Sequence, residues 1–437
     1  MGRTFSSVPY TYLKRGVYYF VVVALISVGL SGFQTVTPKA NGMAQTEFTE
    51  FLRASTPSST DRPLIGKLPW PGKVAVDATS RKNYIDGKNI CASTDIDRTV
   101  IVLADVYAPE NYGLDDRYNT VSNQFKRLSE HCLAGSEVSC RTIQISSVKW
   151  AKESNVDKPR SSDGGKWNDT LTINMRLLSP MLAALGVAEE LSPMPQNERS
   201  IVIAWLVKIT DNFEHGMRHE GSYKGGRDGT TARQAAHNHA VQSSNAQMSL
   251  GAFLDESERF NIGIDQWFIT LDSMRGDGSL PIETRRGARA LFYQGRTITG
   301  LSSLAEKAEA QGVDLWNTAP SETKTIHLAV KFLIDAIENP DLVLGYASAN
   351  ISPGPSKNYK RQDVGFEAGS TFGWIAPYMA RFPDHPNTKR MLNRVKYAEN
   401  QIHNLLTIAL DRQVQSNGTG SGDWNFVNGR CFYAKVD

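Results

Sequence analysis

Arg275-Gly-Asp-Gly-Ser-Leu-Pro-Ile-Glu-Thr-Arg-Arg-Gly-Ala-Arg-Ala-Leu-Phe-Tyr293 is the stretch around which this chain is read. Gly276-Asp277-Gly278-Ser279 predicts a tight turn, because Gly reaches backbone angles other residues avoid and Asp and Ser bond their own backbone. Leu280-Pro281 closes the turn, and a helical pattern follows. Within it Arg286 and Tyr293 stand seven residues apart. Two helical turns take about 7.2 residues, so one continuous helix puts both side chains on one face. A guanidinium beside a phenol can hold a carboxylate and move a proton next to it.

Outward from that stretch the chain reads as helix after helix. Val121, Phe125, Leu128 and Cys132 recur at helical spacing, as do Val202, Leu206, Ile209 and Phe213, and Phe260, Ile264, Trp267 and Leu271. Leu171, Met175, Leu178 and Leu182 follow the same rule, with Pro180 expected to kink that helix. Leu301, Leu304, Ala305 and Ala308 extend the arginine-bearing helix to Gly312. Ile326, Val330, Leu333 and Ile337 predict another, entered from Pro320-Ser321 and stopped by Pro340. A further helix is expected over Met391–Leu410, an exposed loop over Ser348–Gln362, and a short strand over Thr99–Ala104. Such a run of amphipathic helices argues an all-α domain.

Composition sets bounds. The chain has 437 residues, 40% hydrophobic and 21% charged, enough for one large domain or two. A formal charge of +3 gives no reason to expect nucleic acid. Charge is local instead: Arg275, Arg285, Arg286, Arg289 and Arg296 fall within 22 residues, either a solvated helix face or the wall of an anion-binding groove. Lys14-Arg15 precede the 14-residue run Val17–Leu30, which is apolar but for Ser27. Residues 1–40 therefore read as a secretory signal or an uncleaved N-terminal membrane anchor. Residues 41–66 read as a polar linker and 67–437 as the folded domain. Four cysteines, Cys91, Cys132, Cys140 and Cys431, suit an exported protein, and proximity favours Cys132–Cys140. No Cys/His cluster has metal spacing, so neither metal nor organic cofactor is expected.

Asn238-His239, inside HNHAVQ, sets an amide beside an imidazole. A lone His is usually structural, and a Tyr in an Ala-Leu-Phe-Tyr run is more often packing. Asn, His, Arg and Tyr together nonetheless suit β-elimination across a uronic acid. Removing the proton at C5 spreads negative charge onto the neighbouring carboxylate. Arg and Asn can neutralise that charge while Tyr or His handles protons.

HNH, DGSLPIETRRGARALFY and AEKAEAQGVDLW together resemble the alginate lyases, the poly(mannuronate) lyases of bacteria. The matching family segments run NNHxYW, DGxLPxELxRGxRALxYH and AExAxANGxDL. Phe372-Gly-Trp-Ile-Ala-Pro-Tyr378 is similar to a later FxWxxPY segment. The resemblance covers roughly residues 90 to 385. It implies an incomplete (α/α) toroid of antiparallel helix pairs around a cleft, with no cofactor, acting as a monomer on an acidic polysaccharide. It also implies roles. Tyr293 falls on the acid/base Tyr. Arg286 falls on the carboxylate-binding Arg, Asn238 on the neutralising Asn and His239 on the base or its helper. Arg289 falls on a further position of the substrate groove, though Arg289 with Glu283 also reads as a structural ion pair. Tyr112 and Arg117 match a lid over the groove. A Cys91–Cys140 bridge, leaving Cys132 for Cys431, is implied as well.

The chain also departs from the pattern. Val241 and Gln242 replace the Tyr and Trp after NNHx, His237 replaces the first Asn, and Gln294 replaces the His after the Tyr. Rings at those positions would stack on sugars, so the departures leave open which uronate polymer is taken. A non-catalytic binder of acidic polysaccharide on the same scaffold is the second reading.

Overall fold

The computed structural model describes residues 62–70, 72–74, 116–133, 135–153, 178–219, 238–351, 356–364 and 371–395. Regular structure among them is helical throughout. The helices are α1 (Asp116–Leu133), α2 (Glu137–Lys152), α3 (Ser179–Leu191), α4 (Gln196–His219), α5 (Asn238–Leu254), α6 (Ser257–Asp272), α7 (Pro281–Thr284), α8 (Ala290–Glu309), α9 (Ile326–Glu338), α10 (Asp341–Ala347), α11 (Ile375–Arg381) and α12 (Pro386–Val395). A 3₁₀ turn, Gly287–Arg289, sits between α7 and α8. The expected Thr99–Ala104 strand, the N-terminal segment, Cys91 and Cys431 lie outside the described residues.

The apolar stripes become core as their spacing demands. Phe260, Ile264, Trp267 and Leu271 on α6 are fully buried. Each such side chain contributes about 1.5–3 kcal/mol when removed from water. Short links make α1–α2 and α5–α6 antiparallel pairs, and α5 also lies along α8. α8 is buried from Ala290 to Lys307, so it is the element the others surround. α5 is nearly as enclosed but carries Asn238, Gln242, Ser243, Ser244, Asn245 and Gln247 inside. Asn245 shows how such polarity is accommodated. Its Nδ2 donates to the carbonyls of Gly300 on α8 and Val241 on α5, both at 2.9 Å, and its Oδ1 accepts from Lys307 Nζ at 2.7 Å.

Several boundaries differ from expectation. Pro180 lies in the first turn of α3 as bounded at Ser179, and residues 171–177, the start of the helix it was expected to kink, lie outside the described residues. α9 starts at Thr325 rather than Pro320-Ser321. The Thr325 side chain accepts from Leu328 N, supplying the cap. α12 starts earlier than Met391, and residues 396–410 lie outside the described residues. The disulfide joins Cys132 to Cys140, eight residues apart across the α1–α2 link. That overturns the Cys91–Cys140 pairing implied by resemblance and agrees with proximity.

Candidate active site

The turn before the site forms as predicted. Gly278 has φ +94°, and Asp277 Oδ1 accepts from Ser279 N at 2.9 Å. A Cβ at Gly278 would meet the Leu328 carbonyl of α9 at 2.2 Å, so no side chain fits. Gln294 fastens this turn from α8. Its Oε1 accepts from Leu280 N at 2.9 Å and its Nε2 donates to Gly278 O at 3.1 Å. An amide offers a donor and an acceptor side by side, which accounts for Gln294 structurally where the family pattern has His.

The helix expected to carry both Arg286 and Tyr293 is broken. α7 ends at Thr284, Arg286 caps the 3₁₀ turn, and α8 starts at Ala290. Gly287, at φ +56°, makes the break. A distant segment holds it. Gln362 Nε2 donates to Gly287 O at 3.0 Å, its Oε1 accepts from Leu291 N at 3.2 Å, and Asp363 N donates to Ala288 O at 2.6 Å. The stretch expected as an exposed loop thus ends as a clasp.

The two side chains nonetheless meet. The Arg286 guanidinium carbon lies 3.6 Å from the Tyr293 ring centroid, stacked on its face. Phe292 packs edge-on against the same ring at 4.8 Å. Tyr293 is 8% exposed and the Arg286 side chain 11%, so cation and phenol sit at the edge of the interior. Little water screens such a pair.

Beneath them is a carboxylate that sequence reading paired with Arg289. The ion pair of Glu283 is with Arg286, whose NH1 lies 3.9 Å from Oε2. Glu283 Oε1 accepts from Asn238 N at 2.5 Å, Asn238 Nδ2 at 2.9 Å and Thr297 Oγ1 at 3.2 Å. Burial pushes the Glu283 carboxyl above its usual range, against the pull of the Arg286 charge and these hydrogen bonds. Asn238 Oδ1 and Glu283 Oε2 are buried and accept no hydrogen bond among the described residues.

Asn238 opens α5 and is fully buried, while His239, the next residue, is partly exposed. Asn238, Glu283, Arg286 and Tyr293 therefore form one cluster, with His239 beside it in the chain. Arg289 is partly exposed on the 3₁₀ turn. Arg275 serves the turn instead, donating to Ser279 Oγ and Thr284 Oγ1 and stacking on Tyr346 at 4.0 Å. Arg296 is buried near Phe292, its guanidinium carbon 5.8 Å from the ring centroid. The five arginines are thus no single groove wall. Arg117 falls in the first turn of α1, but its side chain, Tyr112 and His237 lie outside the described residues. Val241 and Gln242 are 0% and 1% exposed, so they face the interior and not an open groove. Thr297 and the depth of Glu283 were not read from sequence. Thr297, one turn beyond Tyr293, was the available signal.

Known proteins resemble this chain in sequence and in fold. The alginate lyase family model matches residues 149–343. An alginate lyase of Pseudomonas fluorescens is 24% identical over 152 residues, 35% of this chain and 37% of that protein. One from Cobetia marina is 22% identical over 205 residues, 46% and 48% of the two chains. The chain thus aligns with less than half the length of these curated relatives. Alginate lyase A1-III from Sphingomonas species A1 superposes with a TM-score of 0.53 at 20% identity, covering 74% of this chain and 91% of that one. An alginate lyase from Bacteroides ovatus does so at 0.51 and 12%, covering 77% and 97%. A variant of A1-III complexed with tetrasaccharide gives 0.55 at 20% identity over 75% and 92%. The shared scaffold is the (α/α) toroid. The family match takes in α5 to α8, where the cluster lies, and over residues 149–343, less than half of its length, this chain resembles the alginate lyase family.

Proposed function

We propose that this chain is a polysaccharide lyase cleaving a uronate-containing polymer by β-elimination, with alginate-like mannuronate as its substrate class. The observation that carries this reading is the Arg286 guanidinium stacked on Tyr293 beside the Asn238–Glu283 pair. Arg286 and Asn238 meet the uronate carboxylate and lower the cost of charge arriving there. Tyr293 or His239 takes the C5 proton. Those C–H electrons become the C4–C5 double bond, and the C4–oxygen bond breaks. Tyr293 delivers a proton to the departing glycosidic oxygen. The product carries a 4,5-unsaturated non-reducing end. Arg289 contacts the polymer from the exposed side, and Tyr112 and Arg117 cover it. The chain acts as a monomer outside the cytoplasm, directed there by residues 1–40.

The test is a panel of polyuronates incubated with purified protein and read by ultraviolet absorbance of the unsaturated end. Rising absorbance with alginate or another polyuronate, weakening as salt screens the charges, is expected. Binding without absorbance would favour the non-catalytic reading. Equal action on a neutral glucan would overturn the carboxylate requirement. A reporter fused after residue 45 that stays cytoplasmic would overturn export.

A further inference from the structure

Glu283 has no part in the reaction outlined above, yet it touches more of the cluster than any other group described there. It is fully buried, and a buried carboxylate costs several kcal/mol unless its contacts compensate. Two of its three hydrogen bonds come from one residue, Asn238, through backbone N and side-chain Nδ2. The backbone bond satisfies one of the donors left open at the start of α5, where negative charge is favourable. Capping alone requires nothing more. The Nδ2 bond and the 3.9 Å approach to Arg286 go beyond a cap.

We infer that Glu283 is a positioning residue for the elimination: its carboxylate fixes the Asn238 amide and steadies the Arg286 guanidinium so that both address one uronate carboxylate. The inference rests on the reaction proposed above. An amide NH₂ has two hydrogens. Glu283 takes one and sets the direction of the other, leaving it for the substrate. Asn238 Oδ1, buried and accepting nothing among the described residues, points to an amide oriented by Glu283 and not by a balanced network of its own. Glu283 also offsets the Arg286 charge before substrate arrives. A compensated cation binds the ground-state carboxylate less tightly than a bare one. Its pull then counts most when charge builds up in the transition state.

This separates positioning from plain structure. Glu283→Gln keeps the shape and removes the charge. Asn238 loses its strongest acceptor, and Arg286 loses its counter-charge. Turnover per folded molecule is expected to fall ~10-fold or more, the scale of a misdirected polar group in a site, while KM stays level or falls. Glu283→Asp, which keeps the charge but draws it back, is expected to recover part of the turnover. In a double-mutant cycle, Glu283→Gln and Asn238→Ala are expected to be non-additive, because one acts through the other. If Glu283→Gln does not fold, the Glu283→Asp and Asn238→Ala cycle gives the same information.

Three results would overturn the role. They are wild-type kcat and KM in folded Glu283→Gln, losses that only track the folded fraction, or an additive cycle. Wild-type protein that makes no absorbing product from any polyuronate overturns the elimination itself, a different failure recognised before any variant is made.

Discussion

Among the described residues, the polar cluster around Tyr378 and the one around Glu283 are built differently. At the α9–α11–α12 junction, His327 and His385 stack with ring centroids 4.4 Å apart and 17° between planes. The Tyr378 hydroxyl contacts His327 Nδ1 at 2.8 Å and His385 Nδ1 at 3.1 Å, and accepts from Asn387 Nδ2 at 3.1 Å. Asn387 N donates to His385 Nδ1 at 3.1 Å, and its Nδ2 to His327 O at 2.9 Å. These polar groups satisfy one another, and Trp316, Trp374 and Phe382 wrap them in apolar rings. Around Glu283, by contrast, Asn238 Oδ1 and Glu283 Oε2 accept no hydrogen bond among the described residues. A network closed on itself holds helices together. A network left open at defined atoms holds a place for something else.

Substitution can break that contrast. The largest effect is expected from Tyr293→Phe, which keeps the ring under Arg286 and removes its proton. Turnover should fall ~10²–10⁴-fold, with the melting temperature and substrate binding little changed. A folded variant with near wild-type kcat would make Tyr293 packing and shift the proton chemistry to His239. Arg286→Ala comes next. Losing a charge that meets both ground and transition states should raise KM and lower kcat/KM about 10²–10³-fold. Unchanged kinetics would move the carboxylate site elsewhere.

In the closed cluster the outcomes should invert. Tyr378→Phe leaves both histidines and Asn387 short of a partner. It should cost about 1–3 kcal/mol in denaturant unfolding while kcat/KM per folded molecule stays at wild type. A matching loss of activity would erase the distinction between the clusters.

The smallest effects are in pH dependence, where the two clusters have opposite sign. Burial, with the neighbouring His385, lowers the His327 pKa from 6.5 to about 4. The unfolded chain therefore binds a proton before the folded one does. The stability His327 contributes is present above pH 6.5 and lost as pH falls towards about 4. That loss is at most about 3 kcal/mol and less for a partly exposed ring. Glu283 is raised from 4.5, so stability is full below that value and declines as pH rises through the folded pKa. Urea midpoints between pH 4 and 8 for wild type, His327→Gln and Glu283→Gln test both signs. The His variant should flatten the acid side, and the Glu variant the decline above pH 4.5. The reverse pattern would contradict the assignments.

Much of the fold was legible because apolar spacing is a local signal. Phe260, Ile264, Trp267 and Leu271 announced their helix and its buried face. Arg286 and Tyr293 were brought together correctly for an incorrect reason. Seven residues would align them on one helix, but Gly287 and the reach of Gln362 build a joint instead, and the side chains stack across it. Gln362 lies 71 residues from Leu291, and periodicity carries no trace of such a bond. α5 misleads in another way. Asn238, Gln242 and Asn245 look like a wet face, yet neighbouring helices enclose them. Tertiary packing decides which polar residues are interior, and that information is spread over the whole chain. Val241 and Gln242 consequently read as missing sugar platforms when they are core positions.

The Cys132–Cys140 bridge has a consequence for the order of events as the chain is made. Both sulfurs come from one hairpin, eight residues apart, so both are present in the chain long before α8 or α12 has been synthesised. Closing so short a loop removes only about 2–3 kcal/mol of unfolded-chain freedom, less than a bridge spanning half the domain. In return the pairing requires no distant partner and competes with few wrong ones. α1 and α2 can be locked as a unit first, and the remaining helices assemble against a hairpin already made.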